Sequence, residues 1–196
     1  MRPNAVVIVF IGFFLMGMVS IGALFFYEPA PPLKPLPVFG RAPQFALTDS
    51  DSWPMNEQML QGKVWVADFF FSNCPGPCPA MTANMARLQQ RFRNQPDVHL
   101  VNFSVDPERD SPLTLKKYAL KFQANTRQWH FLTGPESEIR RISVNGFKLG
   151  TGEKLIQHSQ KFALVDREGN IRGYYEGTDP LAVDQLGRDI ERLLRE

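Results

Sequence analysis

The chain has 196 residues, of which 43% are hydrophobic and 21% charged, and its formal net charge is +2. This length suits one domain with a sizeable core and is short for two. The charges are nearly balanced and form no Lys/Arg-rich cluster, which argues against a nucleic-acid partner. We therefore expect partners among proteins, metals and small molecules.

The chain begins with an apolar run over residues 5–26 that contains no charged residue and follows Arg2. As a helix rising about 1.5 Å per residue, the run spans roughly 33 Å, enough to cross a hydrocarbon core. It is longer than the apolar part of a signal peptide, and no good cleavage site follows it. We predict an uncleaved, single transmembrane helix within residues 1–27.

The positive charge before this helix predicts that the N-terminus stays inside and that the rest of the chain crosses the membrane. In a periplasm-like space thiols oxidise unless they are kept reduced or bound to metal. Residues 28–40, with five prolines between Pro29 and Pro37, are typical of a semi-rigid polyproline spacer. We assign residues 41–196 to one folded domain.

Strand and helix patterns alternate through this domain. Strands are predicted at residues 43–49, 63–71, 98–106 and 129–134, and as a hairpin within 161–177. Helices are predicted at residues 80–94, 111–124, 134–144 and 179–196. Residues 145–160 contain three glycines without a clear period, which indicates a long loop or a hairpin insertion.

Local signals support several boundaries. Ser111 and Asp179 each precede a proline, as expected of an N-cap followed by proline at the first helical position. Gly169 is available for positive φ in the hairpin turn. The apolar face of the last helix is predicted to run through Leu181, Leu186, Ile190 and Leu193.

This order of elements implies an α/β domain with a mixed central sheet flanked by helices. Both cysteines, Cys74 and Cys78, fall in the turn between the central strand and the next helix, which is the thioredoxin-like arrangement. Near a helix N-terminus, unpaired N–H groups and the helix dipole favour the thiolate. Prolines 75, 77 and 79 restrict the backbone around the two sulfurs.

Three interpretations of the cysteine pair compete. A structural disulfide would close a very small loop, where the entropic gain is least. A redox pair in this fold generally has two intervening residues, and here there are three. A metal site would need a third ligand, usually an imidazole.

The chain has three histidines. His99 and His130 lie within predicted strands, where a histidine is more often packed or on the surface than a ligand. His158 lies at the end of the irregular insertion, immediately before a strand, where thioredoxin-like oxidoreductases carry a cis-proline. Two thiolates and one imidazole suit Cu(I) and can also hold Cu(II), whereas zinc typically seeks a fourth ligand.

Asp106 and Asp110 lie in the segment "VDPERD", directly after a predicted strand. We expect Asp110 and Ser111 to cap the helix that follows. The alternative is that Asp106 and Asp110 orient the cysteine site or a partner.

Three segments, "DFFFSNCPGPCPAM", "FSVDPERDSP" and "HSQKFALVDREGNIRGYY", resemble the Sco/SenC family of copper-binding assembly factors for cytochrome c oxidase. The similarity covers the domain from about residue 41 to the end. The resemblance implies that Cys74, Cys78 and His158 bind one copper ion per chain, as Cu(I) or Cu(II). Gly76-Pro77 stand where family members often carry an acidic and an aliphatic residue, so partner choice and redox potential are expected to differ.

The resemblance also implies a function. We expect a membrane-anchored copper chaperone, not a turnover enzyme, that assists assembly of the CuA centre of cytochrome c oxidase subunit II, with another copper chaperone as donor. The domain would lie on the periplasmic side of the inner membrane or, alternatively, face the mitochondrial intermembrane space. The alternative function is a thiol-disulfide oxidoreductase that reduces cysteines of the CuA site or of another extracytoplasmic partner, with Cys74 and Cys78 as its redox pair. A peroxiredoxin-like peroxidase is disfavoured because the chain lacks a T-x-x-C motif.

Overall fold

The computed structural model describes residues 34–150 and 159–196, and Leu36–Glu196 forms one compact unit. The strands are β1 (Gly40–Arg41), β2 (Ala46–Asp49), β3 (Pro54–Asn56), β4 (Val64–Phe70), β5 (Val98–Ser104), β6 (Trp129–Thr133), β7 (Lys161–Val165) and β8 (Asn170–Glu176). The helices are α1 (Cys78–Arg91), α2 (Pro112–Lys121), α3 (Glu136–Arg140) and α4 (Pro180–Leu193). A 3₁₀ turn covers Glu57–Leu60, and a π-helical turn, Arg141–Gly146, continues α3.

The eight strands form one mixed sheet in the order β1-β8-β7-β4-β5-β6-β2-β3. Strands β4, β5 and β6 are parallel and lie at its centre, and the β7–β8 hairpin pairs antiparallel to β4. The predicted mixed sheet is therefore confirmed. Strands β1 and β3 are not predicted from the sequence, because elements of two and three residues are too short to show a period.

Helices cover both faces of the sheet. On one face α1, α2 and α4 bury a cluster that includes Phe70, Met81, Leu115 and Ile190. On the other face α3, the π-helical turn and the 3₁₀ turn enclose a second cluster around Phe103. Because both faces are covered, all seven residues of β4 are buried, as its continuous apolar pattern predicts.

The two predicted N-caps, Ser111 and Asp179, are confirmed. The Ser111 hydroxyl accepts a hydrogen bond from the Thr114 N–H at 3.3 Å, and Asp179 Oδ1 accepts one from Leu181 at 2.9 Å. Gly169 adopts a φ of +83° in the hairpin turn. Leu181 was predicted on the buried face of α4, and this is wrong: it is 77% exposed, because the helix packs through Val183, Leu186, Ile190 and Leu193 instead.

The first two residues of the predicted insertion are helical and do not form a loop. Asn145 and Gly146 belong to the π-helical turn rather than to a loop. The chain then reaches Leu149, whose N–H donates to the Ser143 carbonyl at 2.8 Å. Residues 151–158 lie outside the described part of the chain, and it continues at Ser159, whose N–H donates to the Leu149 carbonyl at 2.9 Å.

The end of the predicted proline-rich spacer contacts the sheet. Arg172 Nη2 donates to the Leu36 carbonyl at 2.8 Å, and β1 pairs with β8. The predicted membrane anchor lies outside the described residues. Of the helices in residues 34–150 and 159–196, none is both long and apolar enough to span a bilayer.

Candidate metal centre

The cysteine turn connects the end of β4 to the start of α1. Cys78 is the first residue of α1 and is fully buried, whereas Cys74 in the turn is half-buried. No disulfide joins the two thiols. The Cys74 N–H donates to the Phe71 carbonyl at 3.3 Å. Gly76 has no side chain that could cover Cys74 Sγ, whereas a Cβ at this position would lie 3.9 Å from the sulfur. Gly76 therefore leaves this sulfur open on one side.

Cys78 is more deeply buried than Cys74, and this burial affects its protonation. Burial raises the pKa of the Cys78 thiol far above its usual range, and its interaction with the Cys74 side chain raises it further. In the metal-free protein, burial therefore opposes the thiolate form that a helix N-terminus favours at Cys78. A coordinating metal ion would reverse this, because a metal-bound thiol is deprotonated.

Asp110 holds the loop that leads to Cys74. Its side chain is 1% exposed and accepts hydrogen bonds from the backbone N–H of Ser72, at 3.0 Å, and from the Ser72 hydroxyl. The Ser104 hydroxyl also donates to Asp110, at 2.6 Å. Of the two residues predicted to cap α2, only Ser111 does so. The Asp110 carboxylate instead joins the loop after β4 to the end of β5.

Beneath the turn, Asp68 is fully buried on the β4 face that α1 covers. Its Oδ2 accepts a hydrogen bond from Asn102 at 2.7 Å, and Asn102 in turn accepts one from the Trp129 indole at 2.6 Å. Burial raises the pKa of Asp68 well above its ordinary value. Sequence reasoning missed this residue, although a single carboxylate in an otherwise apolar strand was a visible signal.

His158 lies outside the described residues, so its placement is not part of the structure. Its neighbour Ser159 is described and precedes Lys161, the first residue of β7, by two positions. Since Ala67 pairs with Ala163 in antiparallel register, β7 starts at the edge of the sheet where β4 ends. The chain therefore returns from residues 151–158 at the edge that carries the cysteine turn.

His99 and His130 lie away from the cysteine turn. Trp65 pairs with His99 and Phe70 pairs with Ser104. Five steps of strand at about 3.3 Å each thus put roughly 16 Å between the His99 level and the end of β4. This register places both histidines away from the cysteine turn, and the two imidazoles contact each other, which sequence reasoning missed.

The donor set at the turn fits a soft metal ion. Thiolates suit soft ions such as Cu(I), and Cys74 lies partly open to solvent, so an ion has access. Within residues 34–150 and 159–196, no group of three or more His, Cys, Asp or Glu side chains is arranged to hold a metal. Two thiols alone fall one ligand short of a trigonal site.

Comparison with known proteins identifies the family of this chain. The SCO1/SenC family model matches residues 39–195. A SCO1 protein homolog of Bacillus subtilis is 36% identical over 153 residues, which cover 75% of this chain and 79% of the homolog.

Solved structures agree. BsSco, described as a member of the Sco family of cytochrome c oxidase assembly proteins with a disulfide switch, has a TM-score of 0.70 at 33% identity and covers 82% of this chain and 98% of its own. Arabidopsis thaliana ScoI with copper bound has a TM-score of 0.65 at 27% identity, covering 79% of this chain and 98% of its own. The fold is thus the mixed α/β, thioredoxin-like fold of the Sco structures, and the chain belongs to the SCO1/SenC family.

Proposed function

We propose that this chain binds one copper ion through Cys74, Cys78 and His158 and assists assembly of the CuA centre of cytochrome c oxidase subunit II. The observation that carries the proposal is the pair of thiols at the turn into α1, beside the end of the sheet where the described chain resumes at Ser159. His158 directly precedes Ser159 in the sequence. Copper would supply a soft ion that can be passed to other thiolates.

The surroundings of the cysteine turn support a metal-binding site rather than a structural disulfide. Asp110 holds Ser72 before the turn, and Cys78 at its end is the first residue of α1, so both ends of the turn are held without a covalent bond. A preorganised turn lowers the entropic cost of gathering ligands. Cys78, kept protonated by burial, would release its proton on binding.

The family and the sequence support a proposal for the partner and the location. Relatives include assembly proteins of cytochrome c oxidase, a bacterial lipoprotein and mitochondrial proteins. We infer that residues 1–27 anchor the chain and that the domain faces the periplasm, or the mitochondrial intermembrane space in the alternative setting. Another copper chaperone would load the site.

Titration of the reduced full-length chain with Cu(I), against a competing chelator, tests the cysteine ligands. We expect about one tightly bound Cu(I) per chain, as one three-ligand site allows. Cys74→Ala and Cys78→Ala should each abolish tight binding, and Asn73→Ala, in the same turn, should keep it. Undiminished Cu(I) affinity in the Cys78→Ala variant would refute the site.

A thiol-disulfide reductase is the second candidate. It is favoured by the asymmetry of the pair: half-buried Cys74 can attack a substrate disulfide, and buried Cys78 can then resolve the mixed disulfide. The protein dithiol would be oxidised to a disulfide as the substrate disulfide is reduced to two thiols. If this is the function, Cys78→Ala should trap a mixed disulfide, and His158→Ala should reduce substrate at the wild-type rate. Loss of reduction in the His158→Ala variant would count against it.

A further inference from the structure

A half-open cavity lies at the end of the sheet remote from the cysteine turn. It is bounded by β1, the 3₁₀ turn, the start of β4 and the β7–β8 turn, and its volume is about 240 Å³. Backbone hydrogen bonds join these boundaries: the Ala42 N–H donates to the Gly169 carbonyl at 2.8 Å, and the Gly62 N–H donates to the Arg167 carbonyl at 3.0 Å. The cavity is therefore a preformed feature of the fold.

Four charged side chains of both signs line the cavity. Arg41 and Arg167 supply two positive charges, and Glu57 and Glu168 supply two negative charges. Within residues 34–150 and 159–196, no ion pair joins either arginine to either glutamate, and the side chains of Arg41 and Glu168 have no hydrogen-bond or ion-pair partner. Opposite charges that line one cavity without pairing suit a ligand that carries both signs.

Two of these four charges are held in place by the fold. Glu57 Oε2 accepts a hydrogen bond from the Phe45 N–H at 2.9 Å. Arg167 Nη1 donates to the Gly62 carbonyl at 3.1 Å and lies 3.6 Å from Asp97 Oδ2. One charge of each sign is therefore anchored, which limits the entropy lost when a ligand binds.

The rest of the lining suits a small polar group. Gln44, Gln58 and Gln61 supply amide donors and acceptors, and Leu60 and Trp65 form an apolar part of the wall. At about 30 Å³ for each water-sized group, the volume holds about eight non-hydrogen atoms. A phosphate joined to an ammonium group through two carbon atoms has this size.

The surface next to the cavity is apolar. Val38 and Phe39 directly precede β1, and their side chains are 62% and 53% exposed. Phe39 contacts the Tyr174 ring edge-on, with centroids 5.6 Å apart. About 7 Å of extended chain separates Phe39 from Arg41. A ligand whose charged group enters the cavity can therefore place an apolar part on this surface.

We propose that this cavity binds the headgroup of a zwitterionic phospholipid of the phosphoethanolamine class, with the phosphate beside the two arginines and the ammonium beside the two glutamates. Arginine binds phosphate oxygens through two parallel N–H donors, and an ammonium group donates charge-assisted hydrogen bonds to carboxylates. The acyl chains then lie over the exposed apolar surface that precedes β1. The proposal goes beyond the copper site at the cysteine turn and does not depend on it.

The test titrates the full-length chain, in an uncharged glycoside detergent, with glycerophosphoethanolamine. The indole N–H resonance of Trp65 reports binding, because this buried ring lies in the cavity wall. We expect a saturable shift, and Arg41→Gln and Glu168→Gln should each weaken binding at least about tenfold, the effect of losing a hydrogen bond to a charged group. Arg127→Gln and Glu108→Gln, matched controls at exposed positions outside the cavity, should leave the affinity unchanged.

A series of ligands separates the headgroup from its parts and needs no substitution in the cavity. Inorganic phosphate, ethanolamine and glycerophosphoglycerol, which lacks the ammonium, should each bind at least about tenfold more weakly than glycerophosphoethanolamine. If none of the compounds shifts the Trp65 resonance, or if inorganic phosphate binds as tightly as the zwitterion, the proposal is overturned.

The lipid source has its own test. Dihexanoyl phosphatidylethanolamine should bind more tightly than the free headgroup, by about fourfold for each methylene group that Phe39 removes from water. Phe39→Ser should abolish this gain and keep the affinity for glycerophosphoethanolamine. Equal affinities for the lipid and the free headgroup in the wild type would overturn the assignment to a lipid.

Discussion

At the scale of single residues, Asp68 links the buried sheet to the cysteine turn. It is fully buried, and among the described residues its Oδ1 accepts no hydrogen bond of good geometry. When Asp68 is ionised, its charge raises the pKa of Cys78 further. Sequence alone shows the carboxylate but not its burial beneath Cys78, which requires α1 to pack on this face of β4.

We predict that Asp68→Asn stabilises the protein increasingly as pH rises. Burial raises the pKa of Asp68 in the folded state, so above the ordinary carboxyl pKa the unfolded chain ionises while the folded protein keeps its proton. Folding stability of the wild type therefore falls with rising pH, and asparagine removes this loss. Urea unfolding at pH 5 and pH 8 should show a larger gain at pH 8. The exposed substitution Glu108→Gln should show no such trend, and an equal gain for Asp68→Asn at both pH values would contradict the prediction.

The histidine pair predicts an opposite dependence at acidic pH. Burial and the neighbouring His99 lower the pKa of His130 to about 4, below the ordinary value of 6.5. Between these values the unfolded state binds a proton that the folded state does not, so stability falls as pH falls from 6.5 to 4, by about 3 kcal/mol at most. The stability difference between the wild type and His130→Gln should shrink over this range in urea unfolding. A pH-independent difference would show that His130 does not titrate as described.

At the scale of elements, the loop before Cys74 depends on the segment between β5 and α2. Asp110 and Ser111 are neighbours in sequence but act on different elements: Asp110 holds Ser72, and Ser111 caps α2. Their variants should therefore separate loop order from helix stability.

We predict that Asp110→Ala costs about 2–4 kcal/mol, because it leaves Ser72 and Ser104 without their buried acceptor. Ser111→Ala should cost about 1 kcal/mol, the typical loss for an N-cap. Hydrogen exchange distinguishes them: the Ser72 amide should exchange faster only in the Asp110 variant. Equal exchange at Ser72 in both variants would show that Asp110 is a helix cap after all.

Elements with a strong local signal could be predicted from the sequence. The apolar run of β4 and the Ser-Pro and Asp-Pro starts of α2 and α4 depend only on neighbouring residues. The contact between Asp110 and Ser72 spans 38 positions, and the His99–His130 contact depends on the register of β5 against β6. Such contacts are set by tertiary packing, which no single segment encodes.

At the scale of the whole molecule, Arg172 joins the start of the domain to its end. It lies 2.9 Å from Asp166 in a buried ion pair, 3.4 Å from Glu196 at the C-terminus, and donates to the carbonyls of Leu36 and Pro37. The arginine thus fixes the point where the proline-rich segment meets the sheet. Composition predicted the spacer, but not where its contact with the domain begins.

We predict that Arg172→Ala lowers the free energy of unfolding by about 3–5 kcal/mol, since it leaves Asp166 buried without its partner. It should also release the segment around Leu36, which limited proteolysis would detect as faster cleavage before β1. Arg167→Ala removes a more exposed arginine, which lies 3.6 Å from Asp97, and should cost at most about 1 kcal/mol. Equal losses in the two variants would contradict the role of Arg172.

The central claim is that Cys74, Cys78 and His158 together bind one copper ion. X-ray absorption at the copper edge, on full-length wild type and His158→Ala loaded with one Cu(I), tests it most directly. We predict two Cu–S scatterers and one imidazole in the wild type, and loss of the imidazole alone in the variant. An identical imidazole signal in the His158→Ala variant, or a wild type without Cu–S scattering, would contradict the account.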